Sequence, residues 1–435
     1  MTSGDMASES GAPFLDPTTL ADPYPFYAAH RGDGPVVAVN NGARETYLVT
    51  GYAAVRDVLA SPEIFSSKPE GAPSINFYPS AEALLKEKGF GRTPLIIAMD
   101  PPRHTAHRAV TAKLLRDKRV HKMRGEIRRV AESLIAEFQA AGRCEFVRDY
   151  AWRLSVLVIA DLLGVDRDRI DDFKRWSDAW VRPLITPLTE AEMLDCIGQM
   201  AELQHFLVGE IEARKTAPRD DLLSDIAHAT IDLGAGEMPL RQHEQLGICE
   251  ALMIAGNDST ANALSLGMLR LVEFPEVAAR IRGDMKLVEQ FAEESLRYEA
   301  AVQSNFRTVK EDTEFHGVAM KKGALVFVSW GAANRDADTF ANPEHFDINR
   351  TALKTHLGFG GGTHSCAGAA LARQELAESY DLLLRRLANI RLQPGWTVSD
   401  IKRTGGIVTH GLAMLPLQFE PLALAADEQS ANAAE

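Results

Sequence analysis

The chain has 435 residues, 46% of them hydrophobic and 25% charged, a balance that excludes wholesale disorder. Its 47 Lys and Arg against 60 Asp and Glu leave a formal net charge of −13, which argues against a nucleic-acid partner. No apolar run reaches the roughly 18 residues needed to span a bilayer, residues 154–165 being broken at Asp161, so no membrane association is expected.

The opening MTSGDMASES lacks the basic and apolar regions of a secretory signal. Cys144, Cys196, Cys249 and Cys366 read as reduced thiols, so a cytoplasmic location is expected. Residues 1–12 and 424–435 are small and polar and are expected to be disordered. Short helices mix with strand-like runs such as ETYLVT between about 24 and 70, with a small β region at about 35–60. Asp100-Pro101-Pro102-Arg103-His104 opens a helix, because proline suits a helix start, and His104 and Arg108 share one face. His104 and His107 as a metal pair lack a third ligand nearby. A helix-rich core is expected over about 104–300, where stretches such as LSVLVIADLLGV carry apolar residues at three- and four-residue spacing. Within it KLLRDKRVHKMR, residues 113–124, holds six Lys or Arg and one Asp. That is either a solvated helix face or a steering patch for an acidic partner.

Residues 244–274 contain no proline, so their 31 residues predict a helix roughly 45 Å long. It is apolar almost all round and should cross the interior. Its centre is polar: Ala255-Gly256-Asn257-Asp258-Ser259-Thr260. Gly256 costs a helix about 1 kcal/mol relative to alanine, and a kink with Ser259 bonding the freed carbonyls is one reason for it. A satisfied polar cluster in a core helix is the other. Glu294 and Arg297 sit three apart on one helix face and can pair. FRTVKEDTEFHG, a Lys-Lys-Gly turn and ALVFVSW predict one short hairpin at 306–330, and a strand pair is expected within 389–419.

The strongest local pattern is HLGFGGGTHSCAGAALARQELAESY, residues 356–380. Gly358, Gly360, Gly361 and Gly362 precede Cys366, and a helix is expected over 367–380 with Gly368 one turn inside it. A cysteine at a helix N-terminus is stabilised as thiolate, and glycines allow backbone to approach a flat group closely. A phosphate loop is excluded, since no Gly-Lys-Ser/Thr follows. A structural cysteine, a Cys366–His364 nucleophile pair, a zinc ligand and an axial ligand to a large planar cofactor remain as alternatives.

Phe359-Gly360-x-Gly362-x-His364-x-Cys366-x-Gly368, followed by Leu371-Ala372-Arg373, resembles the haem-binding motif of the cytochrome P450 family. Glu294-x-x-Arg297, the Ala255–Thr260 stretch and Asp100-Pro101-Pro102-x-His104-x-x-x-Arg108 resemble further motifs of the family, in its order. The resemblance spans about 15–420. It implies a mainly α fold with a small β portion, a single catalytic domain over 13–423, and haem held between the long central helix and the cysteine-loop helix. Cys366 would be the axial ligand of haem b (iron protoporphyrin IX), with His104, Arg108, Arg307, Phe359, Gly360, His364 and Gly368 around it. Asp258 and Ser259 would deliver protons, Thr260 standing as the alternative hydroxyl. Glu294 and Arg297 would form a buried brace completed from ANPEHFDINR, 341–350. Ser259 replaces the family's usual threonine, and Ala301 a common proline.

The implied activity is haem-thiolate monooxygenation of a small to medium hydrophobic or aromatic substrate, by hydroxylation or O-/N-dealkylation. The thiolate favours O–O cleavage. The chain has no nucleotide fingerprint, flavin module or C-x-x-C run, so a separate ferredoxin and ferredoxin reductase are the expected electron source. Expected pocket residues are Ile97, Trp180, Met253, Ala255, Val302, Phe306, Ile407 and Val408, with Arg92 or Arg182 as possible carboxylate anchors. A peroxide-driven or non-oxygenating haem-thiolate enzyme and a haem carrier are the competing readings. Asp258-Ser259 argues against a peroxygenase, whose pair is Arg-Pro in this family.

Overall fold

A computed structural model of the protein describes residues 16–39, 44–68, 77–185, 188–406 and 408–422. The expectations for 1–12, 424–435 and Ile407 fall outside the described residues. The long helix is present as Gln242–Glu273. The Arg241 N–H donates to Glu244 at its start, and Pro275 opens the next helix, Pro275–Gly283, just past its end. Residues 244–250 and 263–271 of the long helix are buried, while Ala251, Ala255 and Ser259 between them stay partly open along one face.

It is helical without interruption through Gly256. The glycine has a packing reason instead of the suggested kink: a Cβ there would lie 2.5 Å from Ile159 Cδ1. Ile159 belongs to the helix Trp152–Leu163, which that missing side chain lets come close. The helices Asp117–Gln139, Ile170–Ile185, Glu190–Thr216, Val288–Tyr298 and Ala369–Arg386 surround the same core, and Phe291, Tyr380, Leu154 and Leu264 are fully buried within it. No helix among the described residues is long and apolar enough to cross a membrane.

A five-stranded sheet stands beside this helical part, ordered Val36–Val39, Thr46–Val49, Leu325–Ser329, Ser304–Val309, Phe65–Ser66. All its pairings are antiparallel except Leu325–Ser329 against Thr46–Val49. Side chains alternate across it: Val326 and Val328 pack with Phe65 and Leu357 on one face, Phe327 with Tyr27 and Leu48 on the other.

The single hairpin expected at 306–330 is two nested ones. Thr313–Phe315 pairs with Val318–Met320 across His316 and Gly317, at φ 50° and 77°, the positive-φ pair that matches strand twist. The Lys-Lys-Gly segment only leads into the outer strand. Leu387–Leu392 pairs with Pro416–Pro421 as the sequence suggested, and Arg143–Glu145 adds a third strand. A further hairpin, Arg403–Gly405 with His410–Leu412, was not anticipated.

Candidate active site

Cys366 ends a loop closed by its own N–H donating to the Phe359 carbonyl at 2.9 Å. Gly360 and Gly362 hold φ values of 66° and 59°, which favour glycine. A Cβ on Gly362 would also sit 1.9 Å from the Leu59 carbonyl oxygen. The helix begins at Ala369 with Gly368 as its cap, so Gly368 stands at the helix start instead of one turn inside. Cys366 is exposed. The low-dielectric walls around its thiol raise the pKa, while the Gly368 N–H and the Arg108 and Arg373 charges oppose that.

Next to this loop lies a cluster of basic groups. The His104 and His364 rings stand 4.0 Å apart, and Arg108 donates to Ser365 Oγ at 3.4 Å. Arg307 is buried, and its guanidinium donates to the Phe306 carbonyl. Burial lowers Arg307 to about 10, opposed by Asp100. Burial with His104 and Arg307 alongside pushes His364 down to about 3. Asp100 is already engaged by Ser66 Oγ at 2.6 Å, the Ser67 N–H at 2.8 Å and Lys310 at 3.6 Å. Among the described residues, no carboxylate forms an ion pair with Arg307, and His364 Nε2 is buried without a partner.

A buried guanidinium such as Arg307, with half-buried Arg108 and two neutral imidazoles beside it, calls for an anion. The donor set would suit the carboxylates of a prosthetic group bound beside the glycine loop. No group of three His, Cys, Asp or Glu among the described residues could hold a metal ion, so these residues give neither Cys366 nor the His104–His107 pair a complete ligand set. No hydrogen bond joins His364 to Cys366, as the nucleophile pair would need.

On the open face of the long helix, Ser259 Oγ donates to the Ala255 carbonyl at 2.6 Å, the back-bond the sequence suggested. Burial raises Asp258 to about 6, with Lys174 opposing and Asp178 reinforcing. Those two are an i, i+4 pair on Ile170–Ile185. Thr260 is buried and off the open face. Asn257 is buried with both amide atoms unpartnered.

The pattern described as "Cytochrome P450" matches residues 178–416. The chain belongs to the cytochrome P450 family. It is 32% identical over 408 residues to the cytochrome P450 monooxygenase PikC of Streptomyces venezuelae, covering 92% of this chain and 91% of that one. It is 32% identical over 391 residues to a steroid C26-monooxygenase of Mycobacterium tuberculosis, covering 90% and 98%. Among solved structures, cytochrome P450 CYP109Q5 from Chondromyces apiculatus superposes with a TM-score of 0.81 at 28% identity over 93% of this chain and 97% of that one. Cytochrome P450 CREJ with (4-ethylphenyl) dihydrogen phosphate gives 0.85 at 26% identity, over 95% and 100%. This is a P450 monooxygenase, an enzyme of a haem-iron family.

In this P450 the Glu294–Arg297 pair is fully buried and bidentate, at 2.7 and 2.8 Å. Arg297 also donates to the carbonyls of Asn334, Pro343 and His345, and Arg350 lies 3.4 Å from Glu294. The brace is thus completed from 341–350. A second buried tie went unnoticed in the sequence: Glu293 accepts from Arg373 and lies 2.9 Å from His356 Nε2. Burial raises Glu293, but His356 and Arg373 outweigh that and hold it down at about 2.

The expected pocket residues divide. Ala255 lies on the open helix face, and Val302 and Val408 are partly buried near one another through the 301–303 and 408–410 segments. Trp180 is nearly buried and Ile97 is 57% exposed. Met253 is fully buried on the core side of the long helix, since two residues turn a helix by about 200° from Ala255. Phe306 stacks on Phe327, 5.1 Å away, because strand alternation sends it opposite Arg307. Asn305 shares Arg307's face and was missed. Arg92 and Arg182 pair with Glu82 and Glu192 instead of standing free as anchors.

Glu250 was also missed. It is fully buried, accepts from Thr93 Oγ and from Gln204 Nε2 at 3.1 Å, and lies beside Trp180. Burial raises it to about 7.

Proposed function

We propose that Cys366, as thiolate, would hold the iron of haem b, and that the 13–423 domain oxidises a small to medium hydrophobic or aromatic substrate in the cytoplasm. What carries this reading is buried Arg307, without an ion-pair partner among the described residues, beside His104, His364 and Arg108 at the mouth of the cysteine loop. These four groups would hold the propionates, while Phe359, Gly360 and Gly368 would shape the loop against the ring. Bound haem supplies oxygen activation and C–H oxidation. Asp258, raised to about 6, is mostly ionised at neutral pH but close enough to it to take up a proton and pass it by way of the Ser259 hydroxyl, with water, to the open helix face. Ala255, Val302 and Val408 exclude water and position the substrate. Relatives named for steroid C26 and vitamin D3 25 oxidation support an apolar substrate.

Electrons come from a separate ferredoxin and its reductase. Arg119, Lys122 and Arg124 are paired within the protein, but Lys113, Arg116 and Lys118 are exposed and form no ion pair among the described residues. They form the acidic partner's dock.

The test is the absorbance spectrum of the reduced protein under carbon monoxide. A strongly red-shifted Soret band, lost in Cys366→His, is expected. A haem-free protein, or a spectrum that survives the substitution, would overturn the assignment.

A further inference from the structure

The hairpin Arg403–Gly405 with His410–Leu412 has only three paired residues per strand. So short a hairpin does not hold its own shape in water, and its position is imposed by its anchors. The tip is pinned to the chain just after Glu299. The Gln303 N–H donates to the Val408 carbonyl at 2.7 Å, the His410 N–H donates to the Ala301 carbonyl at 2.8 Å, and Thr409 bridges to Val302.

The base is held by one carboxylate. Glu299 caps the end of the helix Val288–Tyr298 and is 3% exposed. It accepts from Arg403 Nε at 2.7 Å and Nη2 at 3.3 Å. His410 Nδ1 stands 3.1 Å away and Arg270 Nη2, from the long helix, 3.2 Å. Arg403 and His410 lie on opposite strands, so both strands meet at the same group. Gly411 rests on the long helix too closely for a side chain, since a Cβ would be 2.0 Å from Asn262 Oδ1.

We infer that Glu299 is a positioning residue for substrate specificity: its clasp on Arg403 and His410 sets how far Val408 and Thr409 stand from Val302 across the pocket wall. The inference rests on the proposed reading of Val302 and Val408 as wall residues. Burial works against ionisation of Glu299, but His410, Arg270 and Arg403 outweigh it and hold the carboxyl well below its usual range. Glu299 therefore stays ionised around neutral pH.

The experiment uses ferric haem-loaded enzyme titrated with imidazole and with 4-phenylimidazole, followed by difference absorbance. On the proposed reading, imidazole would be too small to reach the wall, and the phenyl group would extend toward it. Arg403→Gln should leave imidazole binding within twofold and weaken 4-phenylimidazole at least fivefold, with Arg403→Lys recovering most of the loss. Amide exchange over 403–412 should quicken in Arg403→Gln without change elsewhere. Glu299→Gln should do the same, and if it does not fold, Arg403→Gln alone decides.

Equal shifts for both ligands, or faster exchange with an unchanged ratio, would reduce the clasp to a structural tie and overturn the inference. Val408→Trp separates the two readings. If it leaves 4-phenylimidazole binding untouched, the wall assignment fails and the inference falls with it. Sensitivity to Val408→Trp but not to Arg403→Gln refutes the clasp alone.

Discussion

Glu250 offers the sharpest quantitative check on the structure. It sits fully buried between the 91–95 segment, the helix Glu190–Thr216 and the long helix, with Thr93, Gln204 and Trp180 around it and no basic partner among the described residues. Burial raises it from 4.5 to about 7. Below pH 4.5 the folded and unfolded chains are both protonated there, and no stability is lost. Between 4.5 and 7 the unfolded chain ionises while the folded one stays protonated, so stability falls as pH rises. Above 7 the folded group ionises too, and the loss levels off at about 3 kcal/mol. Glu250→Gln keeps the neutral shape and removes the titration. Urea unfolding of haem-loaded parent and variant should match to within about 1 kcal/mol at pH 5. By pH 8 the variant should lead by about 2 to 3 kcal/mol. Comparing the two cancels every other titrating group, including Asp258. A gap that does not widen between pH 5 and 8, or a variant weaker at pH 8, would refute the burial argument.

Other substitutions test the site directly. Asp258→Asn should cut product formation about 100-fold by removing a positioned proton donor, while ligand-binding difference spectra stay intact; full turnover would remove Asp258 from proton delivery. Gly362→Ala must place a Cβ against the immovable Leu59 carbonyl in a left-handed backbone, and should cost about 3 kcal/mol or more. Its unfolding midpoint and haem content report this, and parental values for both would contradict the loop geometry. Charge reversal at Lys113, Arg116 and Lys118 should raise the KM for reduced ferredoxin about tenfold at low salt, the difference shrinking as salt rises. A chemically reduced, ferredoxin-free assay should not change.

Contiguous patterns were readable in the chain. The cysteine loop, the Glu294–Arg297 turn, the Asp100–Arg108 segment and the polar centre of the long helix each carry their geometry in local spacing. Groups joined by tertiary approach were not. Nothing near Glu293 announces His356, and nothing near Glu299 announces Arg403 or His410. The neighbour that requires Gly256 is Ile159, 97 positions earlier in the chain. Two of the pocket expectations run against local periodicity. Phe306 next to Arg307 on a strand must face the other way, and Met253 two residues from Ala255 on a helix must do nearly the same. The hidden turn at His316-Gly317 was obscured because histidine rarely takes a positive φ, whereas Lys-Lys-Gly looks like a turn wherever it falls.

The cysteine loop has a kinetic consequence. Its supports come from far along the chain: Arg108 reaches Ser365 over 257 residues, and the Glu293–His356 contact closes a loop of 63. The parallel pairing of Thr46–Val49 with Leu325–Ser329 is equally remote. Closing such long loops costs entropy before their contacts repay it, so they form late. During synthesis the helical core up to about residue 300 can collapse first, whereas the ligand-bearing loop must wait for its last hundred residues to emerge. On the proposed reading, haem capture would therefore be a late step in folding.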